Sequence, residues 1–134
     1  MILVGGMSLG RPNLDGLEKI TCRSSSIKAS RSEILKFIES FCAEAEGQKF
    51  GNNGIHELRE VYKIDNNSNN QAMATHLLLE LKSINGCEFL VDYSCGRYLT
   101  RPTDECNIGE DSKGGGYVAD GCSLWKTLPL LKKN

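Results

Sequence analysis

Apolar positions recur along this chain with two different periods, and each period marks a kind of element. After Ser30, the residues Ile34, Phe37, Ile38, Phe41, Cys42 and Ala45 return at three- and four-residue spacing, which predicts a helix with one apolar face. Ser30-Arg31-Ser32-Glu33 has the form of a capping box, in which hydroxyl and carboxylate each satisfy a free backbone N–H. Gly47 is placed to end the helix. Farther on the period drops to two. Thr75–Ile84 reads as a strand with Leu77, Leu79 and Leu81 on one face and Leu78, Glu80 and Lys82 on the other. Asn85-Gly86 tolerates the positive φ of a type I′ turn. Beyond it Cys87, Phe89, Val91, Tyr93 and Cys95 share a face, so a return strand is expected over Cys87–Cys95.

The remaining segments complete the pattern. Lys19–Cys22 and His56–Ile64 read as strands, and Tyr117–Leu128 as one last strand carrying Cys122 and Trp125. Gly96–Cys106 reads as a second helix with Tyr98, Leu99 and Cys106 inward and Pro102 either kinking it or starting its better half. Residues 48–55, Asp65–Asn70 and Asn107–Gly116 are rich in Gly, Asn and Asp and read as loops. Each helix needs a sheet face to cover its apolar stripe. The expected fold is α+β: an antiparallel sheet of about four strands with two helices on one face, a split βαβ or ferredoxin-like arrangement. Residues 1–17, with Gly5, Gly6, Gly10, Pro12 and Gly16, predict a flexible N-terminal segment ahead of a single domain over 18–130.

Composition narrows the function. The chain has 134 residues, the size of one domain. Sixteen Lys and Arg against 17 Asp and Glu leave a net charge of −1. That lacks the cationic surplus of a nucleic-acid binder. No apolar run reaches the length of a membrane span. Six cysteines at wide spacing, without a Cys-x-x-Cys pair and with only His56 and His76 as histidines, argue against zinc. They predict three disulfides and an oxidising, extracellular compartment. Met1–Gly10 lacks the basic start and long apolar core of a signal peptide, so the expectation is a leader already removed and vector-derived residues at Met1. Asn66-Asn67-Ser68 is a glycosylation sequon on a polar loop, which makes Asn66 a candidate glycan site.

Candidate chemistry is sparse. His56 and His76 stand apart from any cysteine or carboxylate cluster, Glu57 beside His56 excepted, and read as surface histidines. Ser24–Ser26 has no nucleophile-elbow pattern. Glu57 with Glu60, or Glu105 with Glu110 and Asp111, would serve glycoside hydrolysis only if they faced each other across a cleft. Lys113-Gly114-Gly115-Gly116 precedes a strand and lacks the remainder of a phosphate-binding loop. Trp125 and Tyr117, read on one strand face, are either core or a sugar-stacking platform. No catalytic, metal or cofactor site is expected.

Three blocks carry a resemblance. They are Ile20-Thr21-Cys22 with Ala29-Ser30-Arg31-Ser32 through Phe41-Cys42; Ile84-Asn85-Gly86-Cys87-Glu88-Phe89-Leu90-Val91; and Cys95, Leu99, Asp104, Cys106, Asn107, Lys113, Gly114, Gly115, Val118, Asp120, Cys122 and Trp125. Over residues 20–128 the chain resembles small secreted ascomycete proteins, the modules at the C-terminus of some fungal class V chitinases, and killer-toxin subunits. Within that set it looks like the effector family that includes Leptosphaeria avirulence proteins and a Cladosporium extracellular protein. It departs after the tryptophan, where Lys126-Thr127-Leu128-Pro129 replaces an Arg followed by an acidic-Pro pair. The resemblance implies a secreted, non-enzymatic monomer of the apoplast, or one taken up into host cells. It would bind a host plant protein, be recognised by an immune receptor, or mask another effector. The contrasting reading is a carbohydrate-binding or killer-toxin-like antimicrobial module. Recognition is expected on exposed loops and sheet edges, with Asp65, Asn67, Asn70, Asn107, Glu110 and Lys113 as the candidate loop residues.

Six cysteines allow 15 connectivities. Cys95 and Cys106 would lie about 16 Å apart on a helix, too far to bond. With the first strand beside the Cys87–Cys95 strand, Cys22–Cys87 is expected, and Cys42–Cys95 and Cys106–Cys122 complete the set.

Overall fold

A computed structural model describes residues 18–64 and 73–131. The elements are β1 (Lys19–Cys22), β2 (Ala29–Ser30), α1 (Arg31–Ala45), β3 (Lys49–Phe50), β4 (Glu57–Lys63), β5 (His76–Ser83), β6 (Phe89–Leu90), α2 (Cys95–Glu105), β7 (Ser112–Lys113), β8 (Gly116–Ala119) and β9 (Ser123–Leu130). The fold is α+β. Five strands form one antiparallel sheet in the order β1-β8-β9-β5-β4, and β2–β7 and β3–β6 form two short antiparallel ladders. The main sheet thus has one strand more than expected.

Period-two patterning sets the sheet's two faces. Val118, Trp125, Leu81 and Leu58 are cross-strand partners in one row, and Gly116, Thr127, Leu79 and Glu60 in the next. Leu77, Leu79, Leu81, Val118 and Trp125 join one core cluster with Ile34, Ile38, Phe41, Cys42 and Ala45 of α1 and Cys95, Tyr98 and Leu99 of α2. Both helices therefore cover this face. α1 begins as its sequence requires: the Ser30 hydroxyl accepts from the Glu33 amide at 3.3 Å. The reciprocal half of the box is not made, because the Glu33 carboxylate turns to Lys36 at 3.5 Å. Gly47, just past the C-cap, has φ +87°, a backbone state that favours glycine.

Three expectations are corrected. The Cys87–Cys95 segment does not return along β5. Asn85 (φ 57°) and Gly86 (φ 71°) do turn the chain. However, all eight residues of β5 pair with β9 on that side, leaving no edge for a hairpin partner. The segment pairs instead with the chain after α1: Gly47 and Val91 exchange bonds with Val91 and Gln48 carbonyls at 2.8 and 3.0 Å, and Phe50 stacks on Phe89 at 5.3 Å. Phe89 and Val91 are buried by this pairing, while Tyr93 is 88% exposed. The segments at 48–55 and 107–116, expected to be plain loop, contribute β3 and β7 to these short ladders.

The second correction is that Tyr117–Leu128 is two strands and not one. At the break the Asp120 carboxylate accepts from the Cys122 and Ser123 amides, both at 2.8 Å, folding β8 back onto β9. Third, the sulfur pairing differs. Cys42–Cys95 forms, with Cα atoms 5.8 Å apart, but Cys22 bonds Cys106 and Cys87 bonds Cys122, in place of Cys22–Cys87 and Cys106–Cys122. The cause is topological. β1 lies beside β8, next to the end of α2, and the turn after β5 meets the turn between β8 and β9. The Asn85 amide donates to the Gly121 carbonyl there at 2.8 Å.

Candidate functional site

The residues of the cysteine–tryptophan block converge on a buried polar cluster. Asp120, 6% exposed, is its centre. One carboxylate oxygen accepts from the two turn amides and from the Ser123 hydroxyl at 3.1 Å; the other accepts from the Tyr98 hydroxyl at 2.8 Å. The Trp125 indole donates to the Ser123 hydroxyl at 2.8 Å, and its ring stacks on Tyr98 with centroids 4.7 Å apart. A buried carboxylate is tolerated only with its hydrogen bonds made. Here those bonds tie β8, β9 and α2 together.

The rest of the block fastens the chain after α2. Asn107, at φ 54°, accepts the Gly114 amide on its side chain at 2.8 Å and the Lys113 ammonium on its carbonyl at 2.9 Å. Gly115 has φ +76°, and a Cβ there would strike the Thr127 carbonyl and the Pro129 ring. Lys113-Gly114-Gly115-Gly116 is buried. Arg31 reaches from α1 to Asp104 of α2 at 2.7 Å. That hydrogen bond and charge hold the Asp104 carboxyl below the usual carboxylate range. Lys28 pairs with Glu110 at 2.9 Å and lowers its carboxyl in the same way.

The remaining candidates do not converge. Trp125 is fully buried and Tyr117, 38% exposed, lies on the opposite sheet face, because Val118 and not Tyr117 is the cross-strand partner of Trp125. A shared aromatic platform is therefore not formed. Glu57 is engaged by Lys82 at 3.5 Å and Glu105 by Arg101 at 2.7 Å, while Glu110 is held by Lys28. His76 lies 3.0 Å from the Leu131 carbonyl, and His56 is exposed. No group of metal-ligating side chains occurs among the described residues. Of the candidate recognition residues, Glu110 is exposed, Asn107 half-buried and Lys113 buried; Ile108 beside them is 79% exposed. Asp65, Asn66, Asn67 and Asn70 lie outside the described residues. Among the described residues no helix is long and apolar enough to cross a membrane.

Sequence reasoning missed two features. The outward-phased Glu80 is 4% exposed, screened by Arg59, Lys82 and Lys126 at 3.6–4.0 Å. Its only signal was the basic residues that surround it, Lys82 on its own strand and Arg59 and Lys126 on the two neighbouring ones. The Tyr98–Asp120 bond also went unread, although an Asp before Gly121-Cys122 is a turn signal. No family model, no curated protein and no solved structure matches the chain.

Proposed function

We propose that the chain is a secreted, disulfide-stapled effector that acts by binding a host component and carries out no reaction. One observation supports this most. The block that carries the resemblance is spent on the fold: Asp120 closes a turn, Cys106 is bridged to Cys22 and Cys122 to Cys87, and Trp125 and Lys113 are buried. A fold held by such residues leaves the exposed loops free for a partner, as a binding scaffold requires. Three disulfides fit an oxidising compartment. The run β5–α2–β8, with β9 antiparallel between two like-directed strands, supports the split βαβ element of the expected fold.

The experiment is infiltration of the purified, oxidised protein into leaves of a panel of host genotypes. Genotype-dependent cell death is expected. Growth inhibition on yeast lawns or retention on chitin, without any genotype-dependent response, overturns the reading in favour of an antimicrobial or sugar-binding module.

A further inference from the structure

β4 is an edge of the main sheet: β5 pairs with one side, and among the described residues no strand pairs with the other. The Ser83 amide donates to the His56 carbonyl and the Ile64 amide to the Thr75 carbonyl. Antiparallel ladders alternate, so the even-numbered residues of β4 turn their backbone groups towards β5. Glu57, Arg59, Val61 and Lys63 therefore present N–H and C=O groups to the open side. Such a row is a template for another strand.

Side chains decide which strand fits. Leu58 and Tyr62 pack against the core, and Phe37 stacks on Tyr62 at 4.9 Å. Glu60 lies between them, half-buried, opposite Leu79. No hydrogen bond or ion pair joins Glu60 to a described residue, whereas Glu57 has Lys82 at 3.5 Å and Arg59 has Glu80 at 3.9 Å. Burial, then the acids Glu60 and Glu44 of α1, raise the Tyr62 hydroxyl, and the nearby Lys36 ammonium, over the Phe37 ring at 5.0 Å, pairs with Glu33 at 3.5 Å. On the helix-side face of the edge Glu60 therefore carries negative charge in an apolar frame, without an ion-pair partner among the described residues.

A second copy of the chain fits this edge poorly. In the register that sets Glu57 against Lys63 and Leu58 against Tyr62, the two Glu60 side chains meet. They would do so at a non-hydrogen-bonded position, where Cα atoms are only about 4.5 Å apart. A shift of one pleat sets Arg59 against Arg59 or Arg59 against Lys63. Like charges directly opposite destabilise a ladder.

We propose that the open edge of β4 takes an extended, antiparallel strand from a partner protein, with a Lys or Arg opposite Glu60 and apolar side chains opposite Leu58 and Tyr62. This deepens, and rests on, the reading of the chain as a binding protein. Main-chain bonds supply affinity in this mode and the alternate side chains supply selectivity.

The test is an NMR titration of the oxidised chain with two capped peptides, DVVKEVK and DVVEEVK, which align their fourth residue with Glu60. The first is expected to bind about three- to tenfold tighter, the effect of exchanging a cross-strand attraction for a repulsion. Glu60→Gln should level the two and Glu60→Lys should reverse them, with folding of each variant verified by its amide spectrum. Hydrogen exchange at Glu57, Arg59, Val61 and Lys63 should slow on binding. Absence of binding, charge-independent binding, or protection elsewhere overturns the proposal. So does protection of these four amides in a dimer formed without peptide, which would assign the edge to a second copy. Genotype-dependent cell death that persists when the peptide experiment fails would move recognition to the loops and leave the effector reading standing.

Discussion

The Tyr98 hydroxyl donates to the Asp120 carboxylate at 2.8 Å, directly beside the stacked Tyr98 and Trp125 rings. Helix α2 is thereby bonded to the turn that separates β8 from β9. Asp120→Ala removes the carboxylate that accepts from the Tyr98 hydroxyl, the Ser123 hydroxyl and two turn amides, so it should destabilise the fold by about 2–4 kcal/mol. Tyr98→Phe keeps the stacking and should cost about 1 kcal/mol. Urea unfolding followed by the fluorescence of Trp125, the single tryptophan, checks both.

Mass mapping of the unreduced protein should recover Cys22–Cys106, Cys42–Cys95 and Cys87–Cys122, and alkylation should add six groups only after reduction. Cys42 and Cys95 are both buried, while Cys22 is exposed and Cys87 and Cys122 are half-buried. Cys42–Cys95 should therefore be the last bridge reduced under graded reductant. Replacing that pair by Ala should cost about 3–5 kcal/mol. Six thiols alkylated without reductant would remove the argument for secretion.

Gly115→Ala should destabilise by about 2–4 kcal/mol, because the new Cβ meets the Thr127 carbonyl at a position with φ +76°. Gly47→Ala, at φ +87° with no atom near the added Cβ, should cost only about 1 kcal/mol. Thermal melts of the two variants separate backbone strain from steric collision.

Stability should fall at acid pH partly through Asp104. Its folded pKa is depressed by the Arg31 hydrogen bond, so the contribution is present above about pH 4 and disappears as pH falls through the lowered value. Both side chains are 44% exposed, which limits the effect to under about 1 kcal/mol. Arg31→Ala should return the Asp104 titration towards the ordinary carboxylate range, read by carboxyl NMR. Its stability deficit at neutral pH should vanish in strong acid.

β1, α1, β4, β5 and α2 were legible in the chain because each has its own local period or cap. The hydrogen bond from the Glu33 amide to the Ser30 hydroxyl and the alternation of Leu77, Leu79 and Leu81 need no distant partner to be read. The candidate surface was less legible. Exposure of Glu110 followed from its loop composition, but burial of Lys113 depends on the Asn107 carbonyl that folds over it. Glu60 reads as an ordinary acidic residue until β4 is seen to be an edge.

Local patterning by itself determined the α+β class and the faces of its longest elements, since periods of 2 and 3.6 are properties of a segment alone. Tertiary structure decided what lay beside what. Cys87–Cys95 has strand alternation, yet β9 took the edge it would have used, and the sulfurs paired with whatever that order brought within reach. Tyr117–Leu128 reads as one strand by its alternation; Asp120-Gly121 is a short turn signal within it, and that signal shows nothing of the Tyr98 hydroxyl of α2 that also bonds the Asp120 carboxylate. Strand order and disulfide pairing are competitions among distant segments for the same edge, and a periodicity carries no record of its competitors.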